Sequence, residues 1–379
     1  MAVPPVSSVA SLDAWLALAA APGLGPRTCA RLIERFGGAR EVLDASGQAL
    51  KDWGLKPETI AALQRPDRDA IAAALDWSAL PDAHILAWDD PRYPPLLAEI
   101  ADPPTLLYVR GDPLLLAEPQ IALVGSRNPT PGGIEITREL AEALAGFGLV
   151  VTSGLAVGVD AVAHAAALER GRTIAVLGTG PDRVYPAAHR DLARRIAEQG
   201  ALVTELALGV GPQASHFPRR NRIIAGLSLG TLVTEAALRS GSLITARQAA
   251  EQGREVFAVP GSVRNPLARG CHALIRDGAR LVEEAGEILA ELAPRLRGVL
   301  AEPSSASAGA SAMERRAESA LDPEYRQLLD ALGFEPVCAD ELIRRTGLPA
   351  QSVASMLLVL ELDGHVSSGP GGRYCRLKA

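Results

Sequence analysis

Ile121-Ala-Leu-Val-Gly-Ser-Arg-Asn-Pro-Thr-Pro-Gly-Gly133 is the stretch that decides the fold of this chain. A short apolar run leads into a loop of small residues, and a helical pattern follows over residues 132–145. The same succession of an apolar run and a helical pattern recurs downstream. Near-continuous apolar strands that alternate with helices are typical of a parallel sheet covered on both faces. The stretch therefore predicts a doubly wound, mostly parallel α/β fold.

The surrounding sequence supplies the remaining elements of this Rossmann-like sheet. The expected strands are 121–124, 149–152, 173–177, 201–205, 231–234, 255–258 and, at the end, 280–282. Helical patterns between them include residues 132–145, 160–168 and 189–198. In such a sheet, ligands bind at the carboxyl ends of the strands. The loops that follow the strands are therefore the place to look for a site.

Two further regions flank the sheet. Residues 1–78 have helical periodicity and a Pro-Gly-Leu-Gly-Pro hairpin at 22–26, which predicts a helical domain of the helix-hairpin-helix or SAM kind. The α/β domain is expected over residues 79–298, and the low-complexity run Ala-Glu-Pro-Ser-Ser-Ala-Ser-Ala-Gly lies in a linker at 299–320. Residues 321–379 contain three short helical patterns and a strand–turn–strand, which is a winged-helix pattern.

Composition limits what the chain can bind and where it can work. Its 379 residues include 38 Lys and Arg against 44 Asp and Glu, so the net charge is −6. A nucleic-acid binder of this composition must concentrate its positive charge locally, because bulk attraction is absent. The four cysteines form no CxxC pair and no zinc spacing, and neither a signal peptide nor an apolar run of 18 residues occurs. We expect a cytoplasmic protein without a metal, a cofactor or a membrane span.

The loop that opens with Gly125, Ser126 and Arg127 is the first candidate anion site. Small residues between a strand and a helix start present backbone N–H groups, and Arg127 can contact phosphate with two nitrogens. The loop has neither the GxGxxG dinucleotide pattern nor a P-loop pattern. An ordinary tight turn with a surface arginine is the alternative.

The second candidate is His216-Phe-Pro-Arg-Arg-Asn-Arg-Ile-Ile224, which holds the densest positive cluster of an acidic chain. Arg219, Arg220 and Arg222 lie beside Phe217. Arginines for phosphates next to an aromatic face for a base are the combination used on single strands. The alternative is that Phe217 is a core residue and that the arginines pair with acidic neighbours.

The third candidate is the Ser240-Gly241-Ser242 turn, which opens a helical pattern and offers another oxyanion cradle at a helix start. Two of the three segments directly follow parallel strands. Because the carboxyl ends of parallel strands meet at one edge, we expect all three segments to converge on one cleft.

An ordered set of motifs resembles the DprA (Smf) family of bacterial DNA uptake and recombination. The set reads LVGSRNPTPGG, SGLAVGVDAVAH, TIAVLGTGPDRVYPAAHRDL, HFPRRNRIIAGLS, SGSLITARQAAEQGREVFAVPGS and GCHALIRDGA, and it extends roughly from residue 80 to 292. The resemblance implies a dimeric single-stranded-DNA-binding protein that protects incoming strands and helps load the RecA recombinase in natural transformation. It also implies no enzymatic activity.

The resemblance assigns roles residue by residue. Strand binding falls on Gly125, Ser126, Arg127, Phe217, Arg219, Arg220, Asn221, Arg222, Ser240, Gly241 and Ser242. Self-association falls on the surface that includes His272 and Leu281. The family often has an arginine in the turn where this chain has Val157, so the contribution of that turn to binding is in doubt.

The flanking domains leave alternatives open. The hairpin near residue 22 could contact a DNA phosphate, but four arginines balance four acids over residues 11–45, which favours an interaction or spacer role. The predicted recognition helix, residues 351–363, contains no Lys or Arg. Recognition helices anchor on phosphates with basic residues. A protein-docking role for the winged helix is therefore favoured over DNA recognition and over a transcription regulator.

The enzymatic alternative is a nucleoside-monophosphate phosphoribohydrolase that resembles the LOG family. Its PGGxGTxxE signature is missing, since Ser-Gly-Ser-Leu-Ile-Thr stands in the comparable place. His164, His189 and His216 lack ligand spacing and are expected to be structural. Glu205 and Glu235 end apolar strands and are the best residual candidates for acid–base chemistry.

Overall fold

The computed structural model describes residues 12–301, 323–332, 337–362, 366–369 and 373–376. The chain forms two compact units, Met1–Ala301 and Glu302–Ala379. Most of the predicted linker, residues 302–320, lies outside the described residues. The predicted domain boundaries at 78 and 298 stay predictions.

Six helices open the first unit: α1 (Leu12–Ala20), α2 (Pro26–Phe36), α3 (Ala39–Asp44), α4 (Gly47–Asp52), α5 (Pro57–Gln64) and α6 (Arg68–Ser78). Ser46 and Asp67 cap α4 and α6 by accepting hydrogen bonds from backbone N–H groups. A small core that includes Trp15 and Leu32 holds the helices together. Trp77 of α6 packs edge-on against Tyr108, with ring centroids 5.7 Å apart, so the helices are seated on the sheet.

A nine-stranded sheet follows, with strands β1 (Ala83–Ala87), β2 (Leu106–Gly111), β3 (Gln120–Val124), β4 (Val150–Ser153), β5 (Thr173–Val176), β6 (Ala201–Thr204), β7 (Gly230–Val233), β8 (Glu255–Ala258) and β9 (Arg280–Leu281). Their order is β1-β2-β6-β5-β4-β3-β7-β8-β9. The pairs β1–β2 and β2–β6 are antiparallel, and every other pair is parallel. The predicted doubly wound, mostly parallel sheet is confirmed, and the antiparallel edge was not predicted.

Eight helices connect and cover the strands: α7 (Pro95–Ala98), α8 (Pro131–Gly146), α9 (Val159–Arg170), α10 (Arg190–Gln199), α11 (His216–Leu227), α12 (Ser242–Glu251), α13 (Arg269–Arg276) and α14 (Ala285–Ala301). Successive residues of a strand point to opposite faces. Ile121 and Leu123 of β3 thus pack against α8, α9 and α14, whereas Ala122 and Val124 pack with α11, α12 and α13. The strands are apolar throughout because both faces are covered.

The sheet has its switch point at β3 and β7. From β3 the chain order runs through β4, β5 and β6 on one side, and through β7 and β8 on the other. The helix that follows β3 lies on one face, and the helix that follows β7 lies on the opposite face. The carboxyl ends of these two strands therefore open a crevice that only loops can line.

The second unit is a small winged-helix domain. It contains α15 (Pro323–Leu332), β10 (Val337–Cys338), α16 (Ala339–Thr346), α17 (Ala350–Leu362), β11 (Val366–Gly369) and β12 (Arg373–Arg376). The strands form one antiparallel sheet in the order β10-β12-β11. Leu328, Leu342, Val353 and Leu357 are buried in its core. The predicted helices and hairpin are confirmed, and β10 is an additional short strand.

Replacing a central side chain of the sheet is expected to cost far more stability than replacing an exposed one. Leu123 of β3 is fully buried, so Leu123→Ala removes apolar contacts and leaves a cavity, which lowers the unfolding free energy by about 2–5 kcal/mol. Leu114 is 63% exposed, so Leu114→Ala serves as the control. Its unfolding free energy should stay within about 0.5 kcal/mol of the wild-type value. Denaturant titration of both variants measures the difference. Equal stabilities would contradict this description of the core.

Candidate nucleic-acid interface

A cleft of about 620 Å³ lies at the switch point, beside the carboxyl ends of β3 and β7. The three predicted segments line it together: the Gly125 turn, the start of α11 and the Ser240 turn. Their convergence, expected from the strand ends, is therefore observed. The lining residues with functional groups are Ser126, Arg127, Asp160, Phe217, Arg220, Asn221, Arg239, Ser240, Ser242 and Thr245.

Tight packing against neighbouring loops shapes the Gly125 turn. A Cβ at Gly125 would lie 2.7 Å from the Val159 side chain and 2.9 Å from the Glu235 carbonyl oxygen, so this position needs glycine. The Ser126 N–H donates to that same carbonyl at 2.7 Å, and Ser126 Oγ accepts from the Asn128 N–H at 3.1 Å. The turn is held rigidly, and it projects the exposed Arg127 side chain over the cleft.

The start of α8 does not offer the open anion cradle that the loop predicted. The Glu235 carboxylate accepts from the Thr130 N–H at 2.8 Å and from Thr130 Oγ1 at 2.7 Å. Thr130 Oγ1 in turn caps the helix by accepting from the Gly133 N–H. A carboxylate of the protein thus already occupies the positive end of this helix dipole. Only the Gly125–Arg127 part of the loop faces the cleft.

Helix α11 divides the arginine cluster between two directions, because successive helical residues are about 100° apart. Phe217, Arg220 and Asn221 line the cleft. Arg219 and Arg222 share another face, since residues three apart are neighbours on a helix, and both contact Glu205. The sequence cluster predicts one basic patch, and α11 was not among the predicted helices.

Arg222 is a structural cation. Its side chain is 8% exposed, and its nitrogens donate to both Glu205 carboxylate oxygens at 2.7 and 2.8 Å and to Asp102 at 3.2 Å. Burial lowers the pKa of Arg222, but Glu205 and Asp102 more than reverse this effect and raise it. Arg219 is more exposed and forms a 3.0 Å ion pair with Glu205. The structure brings neither residue into the cleft.

Arg220 forms part of the floor of the cleft. The side chain is buried, and its Nη1 donates to the Val176 carbonyl at 2.5 Å. Gly154 makes room for it, because a Cβ there would collide with the guanidinium group. Burial lowers the pKa of Arg220 to about 10, against the attraction of Asp160, and burial also raises the pKa of Asp160. The Nε of Arg220 has no hydrogen-bond partner among the described residues.

Two histidines hold the turn at Ser153–Asp160 below the cleft. Leu155 has a left-handed backbone with φ 57°, which is unfavourable for leucine. Its N–H donates to Nε2 of His164 at 3.3 Å, and its carbonyl accepts from Nδ1 of His189 at 2.9 Å. Val157 is 43% exposed and supplies no charge. The turn supports the cleft from below and does not contribute a cation to it.

The Ser240 turn leads into α12. Ser240 Oγ and Ser242 Oγ are 2.7 Å apart and hydrogen-bonded to each other, at the start of the helix that faces the cleft. The positive end of the α12 dipole and two hydroxyls therefore lie in the same cleft as Arg127.

Sequence reasoning missed two residues of this region. Arg239 lines the cleft, is exposed and has no ion pair within the described parts of the chain. Its position directly before the Ser-Gly-Ser turn was the available signal. Tyr185 lies beside Phe217, with ring centroids 5.7 Å apart, and is 50% exposed. Because Tyr185 lies in the long loop between β5 and α10, the sequence did not indicate that it is close to Phe217.

The predicted self-association residues lie away from the cleft. His272 is on α13, where its Nε2 lies 3.0 Å from the Gly261 carbonyl oxygen. Leu281 is on β9, the edge strand of the sheet, and is 48% exposed. Their role in self-association stays a prediction.

The residual acid–base candidates are occupied by structural contacts. Glu205 pairs with two arginines, and Glu235 is held by Thr130 and by Asn265 at 3.1 Å. Within the described residues, no group of three or more His, Cys, Asp or Glu side chains could hold a metal ion. In the same residues, no helix combines the length and the apolar character needed to cross a bilayer.

These features define a Rossmann-like α/β protein with a basic and aromatic cleft at its switch point. Residues 84–293 match the family of DNA recombination-mediator protein A, and residues 312–372 match the DprA winged helix domain. The chain belongs to the DNA recombination-mediator protein A family, which includes the DprA and Smf proteins. The resemblance seen in the motifs is confirmed.

Individual relatives agree with this assignment. Protein Smf of Escherichia coli is 45% identical over 313 residues, which are 82% of this chain and 82% of the relative. The X-ray structure of DprA from Streptococcus pneumoniae has a TM-score of 0.65 at 37% identity and covers 74% of this chain and 97% of that one. DNA processing protein A from Helicobacter pylori, described for its single-stranded DNA binding mode, has a TM-score of 0.52 at 30% identity. It covers 57% of this chain and 98% of its own.

Arg222, which is buried, and Arg127, which is exposed, should contribute differently to the unfolding free energy. Arg222→Ala leaves the buried Glu205 carboxylate without its main partner, so we expect a loss of about 3–5 kcal/mol in unfolding free energy. Arg127→Ala removes an exposed side chain and should change stability by less than about 0.5 kcal/mol. Denaturant titrations compare the two variants. A stable Arg222→Ala protein would contradict the structural role of Arg222.

His164 should make the protein sensitive to acid. Burial lowers the pKa of His164 to about 3, below the value near 6.5 of an unfolded chain. The unfolded state therefore gains a proton first, and stability falls as the pH drops from about 6.5 towards 3. Between pH 7 and 4.5, the wild type should lose about 2–3 kcal/mol more than His164→Gln, as measured by denaturation at both pH values. Parallel losses in the two proteins would show that His164 does not cause the effect.

Proposed function

We propose that this protein binds single-stranded DNA in the switch-point cleft and that it is not an enzyme. The observation that carries the proposal is that Arg127, Arg220, the Ser240 turn and Phe217 share one cleft of about 620 Å³. The family membership and the single-strand binding mode described for the Helicobacter pylori relative support the same conclusion. No cofactor or metal takes part in it.

Phosphate binding accounts for the polar half of the cleft. Arg127 and Arg239 are exposed cations at its mouth, and Arg220 is a fixed buried charge in its floor. Gly125, Ser126, Asn221, Gly241 and the Ser240 and Ser242 hydroxyls add further polar groups to the lining. A few guanidinium groups and a helix start can hold a polyanion locally even though the chain has a net charge of −6. Arg219 and Arg222 act indirectly, by holding α11 against Glu205.

Base stacking accounts for the aromatic half. The Arg127 guanidinium lies 5.9 Å from the centroid of the Phe217 ring. When Arg127 turns to a phosphate, this face of Phe217 becomes available to a base, and stacking does not depend on base identity. Binding should therefore have little sequence preference. The Glu235 carboxylate already accepts three hydrogen bonds from Thr130 and Asn265, which disfavours it as the general base of the phosphoribohydrolase alternative.

Family membership supports a proposal for the wider role. We propose that the protein protects incoming strands in the cytoplasm during natural transformation and helps load RecA onto them. Self-association through the surface around His272 and Leu281 would place two clefts in one particle. The winged helix would serve as a docking module for a further protein.

Arg127→Ala should weaken binding to an oligo-dT strand by about 10- to 100-fold, because each charged phosphate contact contributes about 1.5–3 kcal/mol. The slope of log affinity against log salt should also decrease by about 0.7, as for one lost phosphate contact on a single strand. Fluorescence anisotropy at two salt concentrations measures both quantities.

Arg170→Ala is the matched control. Arg170 is an exposed arginine at the far end of α9, a 12-residue helix that begins at the cleft and extends about 18 Å from it. This variant should keep the affinity and the salt slope of the wild type. If Arg127→Ala also kept both, the cleft would not be the binding site.

A further inference from the structure

Tyr185 presents an aromatic ring outside the cleft, next to the residue proposed to stack on a base. The ring is 50% exposed, lies 5.7 Å from the Phe217 ring and is tilted by 45° to it. Tyr93 and Tyr108, in contrast, are buried in the core. Tyr185 and Phe217 together form a continuous aromatic surface that leads out of the cleft.

The loop that carries Tyr185 is anchored on both sides of the ring. The Gly180 N–H donates to the Val210 carbonyl at 2.9 Å, and Asp182 accepts from the Gly209 N–H at 2.9 Å. Thr179 Oγ1 donates to the Arg183 carbonyl at 2.8 Å, and His189 holds the other end through Leu155. A ring that is already ordered loses little conformational freedom when a ligand covers it.

Phe217 by itself offers limited room to a base. Arg127 lies over its ring, Tyr185 lies at its side, and a Cβ at Gly178 would be 2.9 Å from its Cδ1 atom. Phe217 is therefore only partly exposed. Tyr185 contacts Phe217 and still has half of its surface exposed, so the next base of a strand that leaves Phe217 can reach the Tyr185 ring.

We propose that Tyr185 forms a second base-stacking subsite, which holds the nucleotide adjacent to the one on Phe217. The proposal rests on the proposed function, because it extends the same strand-binding cleft. Arg183, two residues before Tyr185, has a 54% exposed side chain that contacts Asp182 at 3.7 Å, and it would exchange this contact for the phosphate of that nucleotide. An aromatic face beside a cation is suited to a base and its phosphate.

The variants Tyr185→Leu and Tyr185→Phe distinguish a loss of base stacking from a disturbance of loop packing. Leucine still covers Phe217 but lacks a flat π face, whereas phenylalanine keeps the face and loses only the hydroxyl. We expect Tyr185→Leu to bind an oligo-dT strand about fivefold or more weakly, and Tyr185→Phe to bind like the wild type. Anisotropy titration measures the affinities, and circular dichroism confirms that both variants are folded.

A strand of the same length made entirely of abasic nucleotides is the matched control ligand. It keeps the phosphates and removes every base, so Tyr185→Leu and the wild type should bind it equally. An equal loss on both strands would overturn the subsite, because the effect would then come from displaced loops. Wild-type affinity of Tyr185→Leu for oligo-dT would also overturn it.

Arg127→Ala, measured in parallel, separates this proposal from the proposed function. If Arg127→Ala loses affinity for oligo-dT and Tyr185→Leu does not, the cleft binds the strand and the second subsite is wrong. If neither variant loses affinity, both proposals are wrong.

Discussion

The site depends on the divergence of β3 and β7. These strands are neighbours in the sheet, but the chain continues from them to helices on opposite faces. No helix can close the gap above their carboxyl ends, so loops line it, and loops can present backbone N–H groups and polar side chains. Two glycines adapt the loops to this gap. Gly125 lets the first turn lie against Val159 and Glu235, and Gly154 admits the Arg220 guanidinium beneath the cleft.

The geometry of helix α11 determines which of its arginines face the cleft. Four residues of α11 contain three arginines, yet the helix directs Arg220 to the cleft and turns Arg219 and Arg222 towards Glu205. The Glu205 pair stabilises the position of the helix, because a buried carboxylate must keep its partner. Helix α11 thus contributes one cation to the cleft and not three. Exposed Arg127 and Arg239, on two other loops, complete the set.

A buried, neutral histidine stabilises the turn beneath the cleft. His164 is neutral, so its Nε2 can accept from Leu155, while its Nδ1 donates to Thr173, which donates to the Val151 carbonyl. This chain of hydrogen bonds connects the left-handed Leu155 turn to β4 and β5. His164 and His189, which the sequence analysis expected to be structural, hydrogen-bond to backbone atoms of Leu155. Glu235 likewise ends a strand as a catalytic carboxylate would, but it secures the start of α8.

The sequence by itself determined the parallel core of the sheet, the winged helix and the family. The apolar runs between turns are local patterns, and the motifs are read without knowing their contacts. It also indicated that the segments at Gly125, Phe217 and Ser240 converge, because parallel strands end at one edge. Only the tertiary structure decided which arginine faces the cleft, that Glu235 occupies the α8 start, and that Tyr185 and Arg239 lie at the site. The physical reason is that a side chain's role depends on its direction and on partners distant in sequence: 105 residues separate Thr130 from Glu235. Composition and residue spacing indicate neither the direction of a side chain nor its distant partners.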